Sequence, residues 1–164
     1  MRFHIYCTVI DNYGDIGVCW RLSRQLVAEY GCDAHLWVND AGWAAARQLI
    51  RELPQAPAPT LAESVTVSAW SLACVDENCA GDVLIEGFGC TLPEATLAQL
   101  RARAHKPVWI DLEYFSAEDW VPRFHLQSGF DWEVGAKRWF FFPGVHEHSG
   151  GILRERDLIA AHMG

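Results

Sequence analysis

The stretch Phe3-His4-Ile5-Tyr6-Cys7-Thr8-Val9-Ile10-Asp11-Asn12-Tyr13-Gly14-Asp15-Ile16-Gly17-Val18-Cys19-Trp20-Arg21-Leu22 decides the fold. Residues 3–10 are rich in β-branched and aromatic side chains and read as a strand. From Ile16 onward the period changes. Cys19, Leu22, Leu26 and Tyr30 fall on one helical stripe, supplemented by Ile16, Trp20 and Val27, and Gly31 stands where a left-handed C-terminal cap belongs. A strand that enters a helix through a short, polar, glycine-bearing turn is the opening of a βαβ unit.

The remainder repeats that alternation. Strands are predicted at residues 34–38, 65–70, 82–86, 107–111 and 139–142. Helices are predicted at 16–30, at 40–53 (stopping before Pro54), and from Pro93 to about Ala104, with Pro93 at or near the first helical position. Ser116 has the character of an N-cap for a short helix at 118–121. The proline-dense residues 54–59 read as a surface connection. Residues 154–162 have a helical pattern with little to pack on. Together these elements predict an α/β domain, an open and mostly parallel sheet with helices on both faces and right-handed crossovers.

The chain has 164 residues and 51% hydrophobic content, which suffices for one domain with a sizeable core. No stretch approaches the roughly 18 consecutive apolar residues of a membrane helix. Residues 1–10 lack the basic region, apolar segment and small-residue cleavage site of a signal peptide, so a cytoplasmic location is expected. Thirteen basic residues against twenty-one acidic ones give a net charge of −8, which argues against nucleic-acid binding and suits a basic protein partner. The six cysteines lack CxxC spacing. Cys74 and Cys79 are the one close pair, and no disulfide or metal role is expected for them. His146 and His148 flank Glu147 without a third ligand nearby and read as solvated loop residues. His35 and His125 read as structural, and Trp20 as core.

The turn after the first strand is where open α/β sheets bind ligands. Gly14 and Gly17 allow close backbone approach, but Gly14-Asp15-Ile16-Gly17 is not GxGxxG. Two carboxylates in the turn also disfavour a dinucleotide pyrophosphate. Asp11 and Asp15 are suited to facing a cation, to acting as base and orienter, or to binding a metal. In the plainer reading Asp15 caps the helix and Asp11 makes an Asx turn.

The segment 9–22 closely resembles the amino-terminal signature of the elongation factor P arginine rhamnosyltransferases, the EarP family. The resemblance continues in Ile85-Glu86-Gly87-Phe88-Gly89-Cys90-Thr91-Leu92-Pro93 and in Leu112-Glu113-Tyr114-Phe115-Ser116-Ala117-Glu118-Asp119-Trp120. It closes with Phe140-Phe141-Phe142-Pro143-Gly144 and Ser149-Gly150-Gly151-Ile152-Leu153-Arg154-Glu155. It implies the Rossmann-like, amino-terminal half of a GT-B glycosyltransferase. Such enzymes transfer rhamnose, with inversion, from dTDP-β-L-rhamnose to an arginine of elongation factor P. The acceptor-binding domain would span residues 1–153, with 154–164 opening an interdomain segment or tail.

The resemblance further implies Asp15 as general base and Asp11 as the second essential acid, with Asn12, Tyr13, Glu113 and Tyr114 as acceptor contacts. Gly14 and Gly17 would face the nucleotide sugar, and neither metal nor cofactor is required. The expected partners are the KOW-like first domain of elongation factor P and a carboxyl-terminal, donor-binding domain, without which this half would be inactive. A guanidinium stays protonated at ordinary pH, so paired carboxylates match its charge and its hydrogen-bonding fork. The alternative is a non-enzymatic binding or signalling domain of the receiver or flavodoxin-like type.

Overall fold

A computed structural model describes residues 1–10, 13–73 and 78–159. Asp11, Asn12, Cys74 and residues 160–164 lie outside the described residues. Eight strands form one sheet: β1 (Arg2–Cys7), β2 (Asp33–Val38), β3 (Thr60–Ala62), β4 (Val65–Ala69), β5 (Val83–Gly87), β6 (Val108–Leu112), β7 (Ser128–Asp131) and β8 (Ala136–Phe141). Their order is β3-β4-β2-β1-β5-β6-β8-β7. Only β3 and β7 run antiparallel to their neighbours.

Taken alone, the parallel strands follow the order 3-2-1-4-5-6 of a Rossmann sheet, whereas flavodoxin-like and receiver domains use 2-1-3-4-5. Topology thus overturns the receiver or flavodoxin-like alternative. The order of strands reverses between β1 and β5, the switch point at which such sheets form a ligand crevice at the carboxyl ends.

The alternation of side chains along each strand builds two cores. On one face, Ile5, Cys7, Leu36, Val38 and Ile85 pack against α1 (Gly14–Tyr30) and α2 (Trp43–Leu49), which bury Ile16, Cys19, Trp20, Trp43 and Ala46. On the other, Tyr6, Trp37, Leu84 and Trp109 pack with Leu100 of α3 (Glu94–Ala102). Gly31 closes α1 in the left-handed conformation, and its N–H bonds the Val27 carbonyl, as the sequence predicted.

Several boundaries differ from expectation for identifiable reasons. β1 ends at Cys7 instead of Ile10, because the Val9 N–H turns to the Asn39 side chain at 2.8 Å. The helix expected over 40–53 is a 3-10 turn at Asp40–Gly42 followed by the short α2, and Ile50 and Leu53 are buried beyond it. Gly42 sits tightly at that junction. A Cβ placed on it would lie 2.4 Å from Asn39 Oδ1 and 2.6 Å from Val9 Cβ. Gly42→Ala is therefore expected to cost about 1–3 kcal/mol through forced displacement of the loop after β1, measurable by urea denaturation. An unchanged midpoint contradicts this packing.

The short helix is α4 (Val121–Phe124), later than predicted. The Ser116 hydroxyl accepts from the Glu118 N–H at 3.1 Å and so makes a local turn without capping α4. Of the segment 154–162 expected as a helix, residues 154–157 are not helical and lie along α1, residues 158–159 are helical, and 160–162 lie outside the described residues. There Arg21 forks onto Glu155 at 2.8 and 2.7 Å, Gln25 donates to the Arg154 carbonyl, and the Arg156 N–H donates to Glu29.

His35 and His125 are structural, as expected. His125 Nδ1 accepts from the Phe142 N–H, and His35 Nε2 lies 2.8 Å from Ser68 Oγ with its ring stacked 4.0 Å from Trp37. Burial, then the charges of His4 and Arg2, push the His35 imidazole down to about 3. Between about pH 6.5 and 3 the unfolded chain binds a proton that the folded chain refuses, so stability falls as pH falls through this window. Replacing His35 with glutamine should flatten that part of the acid-unfolding profile, read by circular dichroism. An equally steep profile argues against a neutral His35.

Candidate active-site crevice

Cys7, Gly87, Leu112 and Phe141 lie in one row across β1, β5, β6 and β8, so the four strands end together. Whatever follows them lines the crevice. From β1 comes the turn into α1, from β5 the Gly87-Phe88-Gly89 bend, and from β6 the pair Glu113 and Tyr114. The Phe88 N–H donates to the Leu112 carbonyl at 2.7 Å, and the Glu113 N–H donates to that of Phe141 at 2.9 Å. These bonds extend the ladder just past the strands. The rim is therefore positioned by the sheet itself.

Asp15 is the second residue of α1 and only 3% exposed. Tyr13 occupies the N-cap position without a side-chain cap bond, so Asp15 does not cap the helix. Its Oδ2 accepts from the Ile10 N–H at 3.3 Å, linking the helix back to the exit of β1. Tyr13 is half exposed and its hydroxyl donates to Gln48 of α2. Gly14 is exposed, and a Cβ on Gly17 would meet open space. Asp11 and Asn12 lie outside the described residues.

Glu113 is half-buried, and its carboxyl is pushed up by burial and by Asp111, with Arg138 opposing. Tyr114 is half exposed, with its ring stacked 4.6 Å from Phe88 at 25°. One face of Tyr114 is thus occupied. Phe88 itself has φ +60° and Gly89 +65°, a left-handed pair. A bulky residue in that region costs of order 1–3 kcal/mol, and the Phe88–Tyr114 stack offsets part of it. Cys90 beyond the bend is buried and packs with Tyr6 and Leu92 in the second core. The structure brings Phe88 to Tyr114, and Glu113 near Asp111 and Arg138. Asp15 follows β1 and Glu113 follows β6, with β5 between those two strands.

Sequence reading missed the polar cluster beneath this rim. Glu86, Asp111, Trp109 and Arg138 meet on the α3 side of β5, β6 and β8. An acid inside each of two apolar strands was the signal. Two buried carboxylates on neighbouring strands demand a cation, and Arg138 in an aromatic strand supplies it.

A doubly wound sheet with a buried aspartate and an aromatic rim at its switch point defines a Rossmann-like α/β domain. Among the described residues no helix is long and apolar enough to cross a membrane. The family is equally definite. The chain belongs to the family described as Elongation-Factor P (EF-P) rhamnosyltransferase EarP, whose family model matches residues 3–163. It is similar to curated proteins named protein-arginine rhamnosyltransferase. That of Pseudomonas aeruginosa is 46% identical over 94% of this chain and 40% of the relative. Those of Pseudomonas putida (44% identical, 98% of the chain, 41% of the relative) and Neisseria meningitidis (43%, 96% and 40%) resemble it similarly. The chain spans about two-fifths of the length of these relatives.

Proposed function

We propose that this chain is the protein-acceptor half of an inverting protein-arginine rhamnosyltransferase of GT-B architecture acting in the cytoplasm. The acceptor is an arginine of elongation factor P, presented by its KOW-like first domain, and the donor is dTDP-β-L-rhamnose, held mostly by a second Rossmann-like domain. No metal or cofactor enters this reading. The observation that carries it is the family match over almost the whole chain, joined to an aspartate at the switch point of the sheet.

In this reading the acceptor guanidinium enters the crevice between the β1 turn and the β6 rim. Asp15, with Asp11, neutralises it and holds it by charge-assisted hydrogen bonds. A guanidinium nitrogen attacks the anomeric carbon, the bond to the dTDP oxygen breaks, and the proton displaced from nitrogen passes to Asp15. Because Asp15 is 3% exposed, docking of the acceptor must part the residues over it. Tyr13, Glu113 and Tyr114 supply acceptor contacts, and Gly14 and Gly17 leave room for the sugar. The acidic surface, at a net charge of −8, favours approach of a basic segment.

Titration of this chain with elongation factor P, followed by amide chemical shifts, tests the reading. Shifts clustered at residues 13–17 and 112–115 are expected. Shifts confined to the opposite edge of the sheet, or none at all, overturn it.

A further inference from the structure

Glu86 of β5 and Asp111 of β6 are directly opposite one another in the parallel ladder, and each is 3% exposed. One guanidinium serves both. Arg138 donates from Nη2 to Asp111 Oδ2 at 2.8 Å, and its Nε lies 3.0 Å from Glu86 Oε2 without donor alignment. Trp109 Nε1 donates to the same Glu86 oxygen at 3.0 Å, and the guanidinium lies 5.3 Å from the Trp109 ring centre. Asp111 Oδ1 is buried and accepts no hydrogen bond among the described residues. Two carboxylates against one arginine leave an excess negative charge in a place poor in water, and the orphan oxygen adds a second cost. One proton on Glu86 brings the cluster to neutrality.

We infer that Glu86 and Asp111 share one proton and, with Arg138, form a neutral lock that positions the crevice rim. The lock ties together β5, β6 and β8 two to three residues before the places where Phe88, Glu113 and Tyr114 emerge. The ionisable groups facing the pair are Arg138, Asp131 at the end of β7, Glu113 beyond β6, Cys90 beyond β5 and Tyr6 of β1, whose hydroxyl bonds Thr96 and the Cys79 carbonyl. Consistent with the shared proton, burial and Asp111 push the Glu86 carboxyl up to about 7 against the pull of Arg138 and Trp109.

Glu86→Gln replaces the shared proton with a permanent amide donor. Thermal melts of this chain between about pH 6 and about pH 8.5 should show the parent losing stability as pH rises, because the folded chain holds a proton that the unfolded chain has released. The variant should lose less. Carboxyl ¹³C NMR should find one glutamate titrating near neutrality, absent from E86Q. If every carboxyl titrates in the ordinary range, or both melting profiles share one slope, the shared proton is overturned.

The positioning role rests on the acceptor-domain reading and is tested separately. Affinity of the full-length transferase for elongation factor P should fall several-fold over that pH span in the parent and less in E86Q. Equal pH dependence in both overturns the positioning role. Absence of binding in both at every pH overturns the functional reading, while the melts still decide the proton.

Discussion

Asparagine in place of Asp15 is expected to lower rhamnosyl transfer by the full-length enzyme about 10²–10⁴-fold, the range that a positioned general base contributes, while leaving the fold intact. The amide keeps an oxygen for the Ile10 N–H and nearly the same volume in a site only 3% exposed. In the proposed reaction it loses the negative charge opposite the guanidinium and the place for the proton released when nitrogen bonds to the sugar. Asp15→Ala would also remove the link between α1 and the exit of β1, so the asparagine variant separates chemistry from folding. Mass spectrometry of the acceptor reads the first quantity and thermal denaturation the second. A fully active, stable Asp15→Asn enzyme would sink the assignment of the base.

The largest effect on stability is expected from Arg138→Met. Methionine preserves much of the contact with Trp109 but leaves Glu86 and Asp111 buried without a cation. Breaking a buried ion pair on one side costs about 3–5 kcal/mol. The loss has a pH signature. Arg138 pulls the raised Glu86 carboxyl downward, so removing it makes the folded state hold its proton still more tightly than the unfolded chain does. Stability then falls more steeply with rising pH, and the gap between variant and parent widens from about pH 5 to about pH 8. Urea unfolding at the two pH values reads it. A gap below about 1 kcal/mol, typical of an exposed pair, would show that the arginine is dispensable.

Much of the architecture was legible because local signals agreed with one another. The helical stripe from Ile16 to Tyr30, the glycine after it, and the apolar runs around Leu36, Ile85 and Ile110 each point to the same alternating plan, and all of them form as elements. The misplaced boundaries were decided by partners distant in sequence. Val9 leaves the strand for Asn39, and Gly42 replaces helix with a tighter turn because no side chain fits there. β3 and β7 carried too few residues to show a period, and they exist through pairing with longer neighbours. The site divides similarly. The row of strand ends that presents Glu113 and Tyr114 follows from topology and was foreseeable. That Phe88 covers one face of Tyr114 depends on a left-handed bend at a non-glycine residue, which composition does not announce. Nor does spacing reveal that Arg138 reaches back under β6 to Glu86.

The two reversed strands have a further consequence. A long parallel sheet normally ends in a row of open amides and carbonyls, an invitation to neighbouring chains. Here each margin finishes in a short strand, three residues at β3 and four at β7. Such stubs offer an intruder few rungs on which to build, and Gly129 within β7 presents no side chain to grip. Self-limiting margins of this kind guard against edge-on stacking of one copy upon another.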